Sequence, residues 1–359
     1  MKLKNVVNWT KWYLTLKLNP NSIKATSASL TLNNKCNLTC NMCHLWRKPI
    51  GLYDLTKEKI EEIIKDLKSF GIKTLSITGG EPMLRKDYFE IVDMCYNMGF
   101  KLHGISNGHF INEENAEKMW KYFKQITISV DGPNPEVYYK IRGVTLQGFD
   151  KAIRAIKLLK KYKPKDAILK INYTVQKYNY QYITEMNVLA NELEVPVFYQ
   201  CVEVDGYGNL RDEDLHNMDF NILREQFEKL KNSKYVLNTN GYIDYLLKIF
   251  NNKVNNKNEN MSVTCIAPQN HLQIDTDGYV YPCPVLNIKL GNVRQQSIRE
   301  IYNSNNTQKT IKMIRNGKID RCRTCVQGCE IEAALNNSFM HVAKTQILKV
   351  INTLKNVSK

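Results

Sequence analysis

The stretch SASLTLNNKCNLTCNMC, residues 27 to 43, decides the reading of this chain. Its first six residues form a β-type run, and a loop with the spacing C-x-x-x-C-x-x-C (Cys36, Cys40, Cys43) follows almost at once. Three thiolates from one short loop can hold three irons of a 4Fe-4S cluster, whose usual protein complement is four cysteines. The iron left open can then take an outside ligand. A zinc site or three incidental thiols would use the same residues, so the surrounding sequence has to discriminate.

Outward from this stretch, β-type runs recur at KTLSIT (73 to 78), KLHGIS (101 to 106), QITISV (125 to 130), ILKINYTV (168 to 175) and PVFYQCVEV (196 to 204). Between them, apolar residues fall at helical spacing: Ile60, Ile63, Ile64, Leu67; Tyr88, Ile91, Val92, Cys95; Ile153, Ile156, Leu158, Leu159. Thr56 and Asn112 read as N-caps, each followed by Glu in the first turn, and Gly71 and Gly99 sit where helix C-caps fall. Strand-helix alternation over six repeats predicts an α/β fold, a partial (β/α)6 barrel with right-handed crossovers and its functional face at the C-terminal ends of the strands.

After residue 204 the pattern changes. DGYGNLRDED (205 to 214) is turn-rich, residues 219 to 252 read as two helices, and NNKVNNKNEN (251 to 260) is a polar loop. NHLQIDTDGYVYPC (270 to 283) carries a hairpin signal at Asp277-Gly278, and a C-terminal helix is expected over about 331 to 355. The predicted organisation is an N-terminal extension (1 to 26), the barrel (27 to 204), a helical linker (205 to 260) and a small cysteine-rich hairpin-plus-helix domain (261 to 359).

Composition sets further bounds. The chain has 359 residues, 43% hydrophobic and 24% charged, as ordinary globular proteins do. No apolar run approaches the roughly 18 residues that cross a bilayer, and the first twenty residues lack a signal-peptide core, so a cytoplasmic location is expected. Lys and Arg number 51 against 35 Asp and Glu, a net charge of +16 that favours anionic partners. The lysines are spread out, however, and no basic stripe with interleaved aromatics points to nucleic acid. Ten cysteines without a secretory signal argue for metal or redox chemistry rather than disulfides.

The second strand ends in Gly79-Gly80-Glu81-Pro82, where two glycines allow close backbone approach to a ligand and Glu81 can order the loop. Strand, cysteine loop, helix, strand and GGEP together resemble the radical S-adenosylmethionine (SAM) enzymes. The resemblance implies that the open iron chelates the amino and carboxylate groups of SAM. It also implies that reductive cleavage of SAM gives a 5'-deoxyadenosyl radical, which abstracts hydrogen from an unactivated carbon. Ser106-Asn107-Gly108 is similar to the T-N-G that lines the family's SAM pocket. Ser129-Val130-Asp131-Gly132 and Ile141-Arg142-Gly143 are similar to its S-x-D-G and R-G elements, which would give Ser129 and Arg142 the ribose and the methionyl carboxylate. Met42 departs from the pattern, standing where relatives often carry an aromatic residue; a soft apolar side chain can still pack on adenine.

The C-terminal cysteines are Cys265, Cys283 (closing G-x-x-x-x-C from Gly278), Cys322, Cys325 and Cys329. Spacing alone also permits structural zinc. Behind a radical SAM barrel the pattern resembles the SPASM and shorter twitch domains, which carry auxiliary iron-sulfur clusters. Five cysteines supply one four-cysteine cluster with one left over. The expectation is a second, auxiliary 4Fe-4S cluster on Cys265, Cys283, Cys322 and Cys325, with Cys329 as the alternative ligand. Cys95 and Cys201 read as small buried hydrophobes, with an approach of Cys201 to the cavity as the minority reading.

The implied activity is hydrogen abstraction from a small-molecule or lipid-like biosynthetic substrate, ending in an oxidation or a bond-forming modification assisted by the auxiliary cluster. A low-potential electron donor of the ferredoxin or flavodoxin type would drive it. A peptide- or protein-modifying maturase is an alternative; the 26 residues before the first strand and Pro284 in place of an Asp after Cys283 weigh against it. A non-catalytic iron-sulfur or zinc scaffold is the alternative of another class, and GGEP, SNG and Arg142 count against that. Asp275, Glu203, Asp205 and Tyr199 are expected near the cavity edge as acid-base candidates. VVNWTKWYLTLKL (6 to 18) and the C-terminal Val342, Ile347, Val350 and Ile351 beside Lys344, Lys349 and Lys355 are amphipathic. Both segments are expected to pack on the barrel, with peripheral membrane contact as the alternative.

Overall fold

Apolar residues alternate with small polar ones along the first six strands, and this period of two gives each strand one face for the helices and one for the interior. The computed structural model describes residues 23 to 49, 51, 54 to 203, 217 to 255 and 263 to 336, with the side chain of Cys329 outside that set. The order is β1 (Ser27–Thr31), α1 (Lys57–Phe70), β2 (Thr74–Thr78), α2 (Tyr88–Asn97), β3 (Lys101–Ser106), α3 (Glu113–Tyr122) and β4 (Phe123–Ser129). It continues with α4 (Pro135–Arg142), α5 (Gln147–Tyr162), β5 (Ile168–Val175), α6 (Ile183–Leu193) and β6 (Val197–Cys201). These bounds match the sequence-based strands to within two residues, except that β6 ends at Cys201, three residues before the expected 204.

The six strands pair in sequence order, all parallel, as an open curved sheet. Ala28, Leu30, Leu75, Ile77, Ile126, Ile128, Leu169 and Ile171 fill the layer between sheet and helices and are buried. Helix α1 supplies the expected Ile60, Ile63, Ile64 and Leu67 to that layer. Thr56 caps it by accepting from the Lys59 N–H at 3.2 Å, and Gly71 ends it at φ +111°, a left-handed conformation that glycine adopts without strain. Asn112 caps α3 through a reciprocal pair with Asn115 rather than with a glutamate, because the amide of Asn115 can return a bond to the Asn112 N–H.

Helices α7 (Phe220–Leu230) and α8 (Asn240–Val254) follow, then β7 (His271–Ile274), β8 (Tyr279–Tyr281) and β9 (Gly291–Asn292). The hairpin turns at Gly278, φ +84°, as the Asp277-Gly278 signal predicts. Its first strand joins the barrel sheet: β7 pairs with β1 in parallel, Ser27 opposite His271, giving the order β6-β5-β4-β3-β2-β1-β7-β8-β9. The last stretch, Ile298–Asn303, Asn305–Arg315 and Gly328–Asn336, is helical, and Ile298 N–H donates to Asp66 of α1 at 2.5 Å. The amphipathic segments 6 to 18 and 342 to 355, and the loop 205 to 214 with Asp205, lie outside the described residues. Among the described residues no helix is long and apolar enough to cross a membrane.

Leu30 has no exposed surface and sits on β1, an interior strand between β2 and β7. Leu30→Ala is expected to cost about 2–5 kcal/mol of stability, measured by urea unfolding.

Candidate functional site

The cysteine loop leaves β1 pinned to two other strand-end loops. On one side Gly80 N–H donates to Asn33 O and Glu81 N–H to Lys35 O, each at 2.8 Å. The approach is so close that a Cβ on Gly80 would stand 2.3 Å from the Lys35 carbonyl oxygen, so the glycine is required by the chain's own backbone. On the other side Asn41 N–H donates to Ile141 O at 3.0 Å and Thr39 N–H to Arg142 O at 3.2 Å, while the Thr39 hydroxyl donates to Gly143 O at 3.0 Å. Gly143, at φ +64°, lies against Thr39 with no room for a side chain.

Polar side chains lock the same loops. Arg142 is buried between Asp131, 2.6 Å away, and the Cys40 Sγ at 3.7 Å, and Asp131 also accepts from Thr174 N–H at 2.7 Å. Glu81 is fully buried; it accepts from Ser106 Oγ at 3.0 Å and from the N–H groups of Asn107 at 2.8 Å and Met83 at 3.3 Å. Burial pushes its carboxyl up to about 7 against the pull of these bonds. Asn107 in turn donates to Asn37 Oδ1 at 2.8 Å and reaches Cys36 Sγ at 4.0 Å. Pro82 is buried at the start of a short turn capped by Glu81. Met42 and Tyr178 both pack against Val202, and Ser129 ends β4 opposite Asn172.

Burial raises the thiols of Cys36, Cys40 and Cys43, that of Cys40 to about 12 with Arg142 opposing. As free groups such thiols are inert; binding iron would deprotonate them. Among the described residues no three His, Cys, Asp or Glu groups are placed as a single metal ion would need them. The donor chemistry, three thiols on one loop, fits a 4Fe-4S cluster with one iron left open.

Cys265, Cys283, Cys322 and Cys325 line one small cavity together with Val285, Leu286 and Ile314. Burial pushes Cys283 up to about 12 and Cys322 to about 11. Glu203 organises this wall: it pairs with Arg321 at 2.5 Å and accepts from Val326 N–H. Tyr242 and Tyr245 donate to Val326 O at 2.8 Å and Cys325 O at 2.9 Å. Glu203 therefore holds the Cys322–Cys325 loop and does not line the barrel interior, contrary to expectation. Tyr199 is corrected likewise, because the strand alternation turns it outward into the helix layer, where its hydroxyl donates to Ile183 O at 3.3 Å. Cys201 shares that outward parity, in keeping with its reading as a buried hydrophobe.

Between the two thiol sites lies a cavity of about 540 Å³. His44 and Leu45, next to Cys43, line one end; Pro284, next to Cys283, and Gln327 and Glu330, which also border the second thiol cavity, line the other. Asp275 lines it and pairs with Lys48 at 2.6 Å, as a cavity-edge carboxylate should. The inward strand faces add Ser27, Ser29, Thr31, Ser76, His103 and Thr127, which sequence reading missed although their alternation with apolar residues marks them. His271 is bonded on both ring nitrogens, to Ser27 Oγ at 3.0 Å and Ser29 Oγ at 2.8 Å. Ser27 spends its proton on Asn270 O, so it accepts from His271 Nδ1–H, and Nε2 accepts from Ser29. His103 is bonded to Ser76 at 3.2 Å and Thr127 at 2.8 Å.

Gly80→Ala should displace the GGEP loop from Asn33–Lys35 and lower the iron bound by the first thiol group, read by iron and sulfide analysis of anaerobically prepared protein. Burial lowers His103 to about 3 and His271 to about 4, below their ordinary 6.5. The stability these neutral rings contribute is complete above about 6.5 and lost as pH falls toward those values, since the unfolded chain takes up the protons first. The double variant His103→Gln/His271→Gln should flatten the acid limb of a stability-versus-pH curve.

Comparison with known proteins fits this geometry. The profile of the radical SAM superfamily matches residues 30–188, and that of SPASM, an iron-sulfur cluster-binding domain, matches residues 265–326. An AdoMet-dependent heme synthase of Methanosarcina barkeri is 28% identical over 281 residues, covering 74% of this chain and 79% of that protein. Streptococcus suis SuiB bound to S-adenosylmethionine superposes with a TM-score of 0.64 at 18% identity, over 86% of this chain and 72% of that one. Native anSMEcpe with bound AdoMet gives 0.60 at 19% identity, over 92% and 99%. At these identities the two structures share the fold.

Proposed function

Because the chain belongs to the radical SAM enzymes and carries a C-terminal SPASM iron-sulfur domain, we propose that it oxidises or otherwise modifies a polar small molecule held in the barrel cavity. Its cofactors are SAM, a 4Fe-4S cluster and auxiliary iron-sulfur chemistry in the SPASM domain. In this reading Cys36, Cys40 and Cys43 hold the SAM-binding cluster, while Cys265, Cys283, Cys322 and Cys325 hold the auxiliary one. When bound, the first cluster and SAM supply hydrogen-atom abstraction from an unactivated carbon.

The observation that carries the reading is the position and lining of the 540 Å³ cavity, which has one thiol site at each end. Its volume suits a small molecule. Hydroxyl, amide and imidazole groups dominate its strand walls, which narrows the substrate from small-molecule or lipid-like to polar. Glu81, Ser106 and Asn107 stand at the C-terminal strand ends and Arg142 at the end of α4 beside Cys40, where SAM would be held with its carboxylate on Arg142 and its amino group toward Glu81. Asp275, beside Lys48, is a cavity carboxylate placed to take a proton from an oxidised substrate. Electrons would enter from a ferredoxin- or flavodoxin-type donor.

Anaerobically reconstituted protein given SAM and reductant should release 5'-deoxyadenosine, and Cys36→Ala/Cys40→Ala/Cys43→Ala should release none. Equal release by the triple variant, or zinc at both thiol sites after strictly anaerobic purification, would overturn the reading.

A further inference from the structure

The polar groups of the cavity fall into two sets. Those on β1 to β4 and β7 bind mainly one another: Ser27 and Ser29 with His271, Ser76 and Thr127 with His103, and Thr31 with Gln273 at 2.9 Å. Two amides on β5 and β6 differ. Asn172 and Gln200 line the cavity yet make no side-chain hydrogen bond to any described residue. Beside them on the same face is Lys170, its Nζ 5.3 Å from the centre of the Phe198 ring.

Register places these groups with respect to the strand ends. Lys170 lies opposite Thr127, and Asn172 opposite both Ser129 and Phe198. Lys170 is therefore two residues, about 6.6 Å of strand rise, below the Ser129 level at which the SAM-side loops begin. Among the described residues, Lys170 is the charged side chain that strands β1 to β6 bring to this cavity. The two histidines add no charge, being bonded on both nitrogens and neutral. The carboxylates, Asp275 and Glu330, belong to the opposite wall contributed by the C-terminal segment.

We propose that Lys170, Asn172 and Gln200 form the substrate-anchoring wall and hold an anionic oxygen group of the substrate, a carboxylate or a phosphate. This rests on the cavity being the substrate site. An ammonium group that meets an oxyanion makes a charge-assisted bond, stronger the more water the bound substrate displaces. Amides that would lose water on substrate entry need new partners, which the same oxyanion and its neighbours supply. Anchored at this depth, the substrate extends upward to the strand ends, with its remaining polar groups toward Asp275.

The test uses the full cluster-loaded chain. A small-molecule extract of the host is split by anion exchange into retained and flow-through pools, and the extra 5'-deoxyadenosine each pool elicits is measured. The retained pool should stimulate release. Lys170→Met and the isosteric Asn172→Asp, which sets a negative charge beside Lys170, should need at least tenfold more of it for half-maximal effect, and Lys170→Arg less than threefold more. Stimulation by the flow-through pool alone, or variants that respond as the parent does, would overturn the proposal. Binding of carboxyl-labelled acetate and of inorganic phosphate, followed by NMR, decides the case in which neither pool stimulates. Binding lost in Lys170→Met supports the anchor and tells carboxylate from phosphate; equal binding in both proteins overturns it. A parent protein that releases no 5'-deoxyadenosine at all, even without extract, counts against the enzymatic reading instead, and the acetate and phosphate arm still tests the anchor.

Discussion

The buried contact of Arg142 with Asp131 and the Cys40 sulfur is the interaction on which the rest of the site depends. It ties the end of α4, the loop after β4 and the cysteine loop after β1 into one body. A buried ion pair gives little net stability, because desolvation offsets most of the Coulomb gain, while losing either partner leaves an uncompensated charge. Its value here is positional. The cysteine loop has no regular secondary structure to fix it, and this pair, with the backbone bonds from Ile141, Arg142 and Gly80, substitutes for one.

The second constraint is the amphipathic character of the parallel strands. Parallel sheets are usually apolar on both faces because helices cover both. Here the sheet curves open and the hairpin wall closes over its inner face, so that face borders a cavity and carries Ser, Thr, His, Asn and Gln. Burying such groups is costly unless they are paired. The hydroxyl-histidine bonds on the β1 to β4 and β7 side meet that cost internally, whereas the β5-β6 side leaves amides open to a guest. Joining β7 to β1 also brings the second thiol wall over the same space, so fold and site geometry have one cause.

Much of this was legible beforehand because it is local. Thiol spacing, the GGEP and SNG turns, helical periodicity and the Asp277-Gly278 hairpin are properties of short segments, and the structure reproduces them. What was not legible depends on pairing across long separations. Nothing near Ser27 tells that His271 will lie beside it, and without that register the hairpin reads as an appendage. Tyr199 and Glu203 were misplaced for a related reason. They are near the end of a correctly identified strand, but which parity faces inward is set by curvature and packing. Residues such as Lys170 and Gln200 are inconspicuous singly and become meaningful as a row.

Electron paramagnetic resonance of the reduced, anaerobically prepared protein addresses most directly the claim that a substrate cavity is framed by two iron-sulfur sites. Two signals are expected, one altered by adding SAM and one indifferent to it, with the indifferent signal lost in Cys283→Ala/Cys322→Ala. A single signal, or none that responds to SAM, would contradict the arrangement.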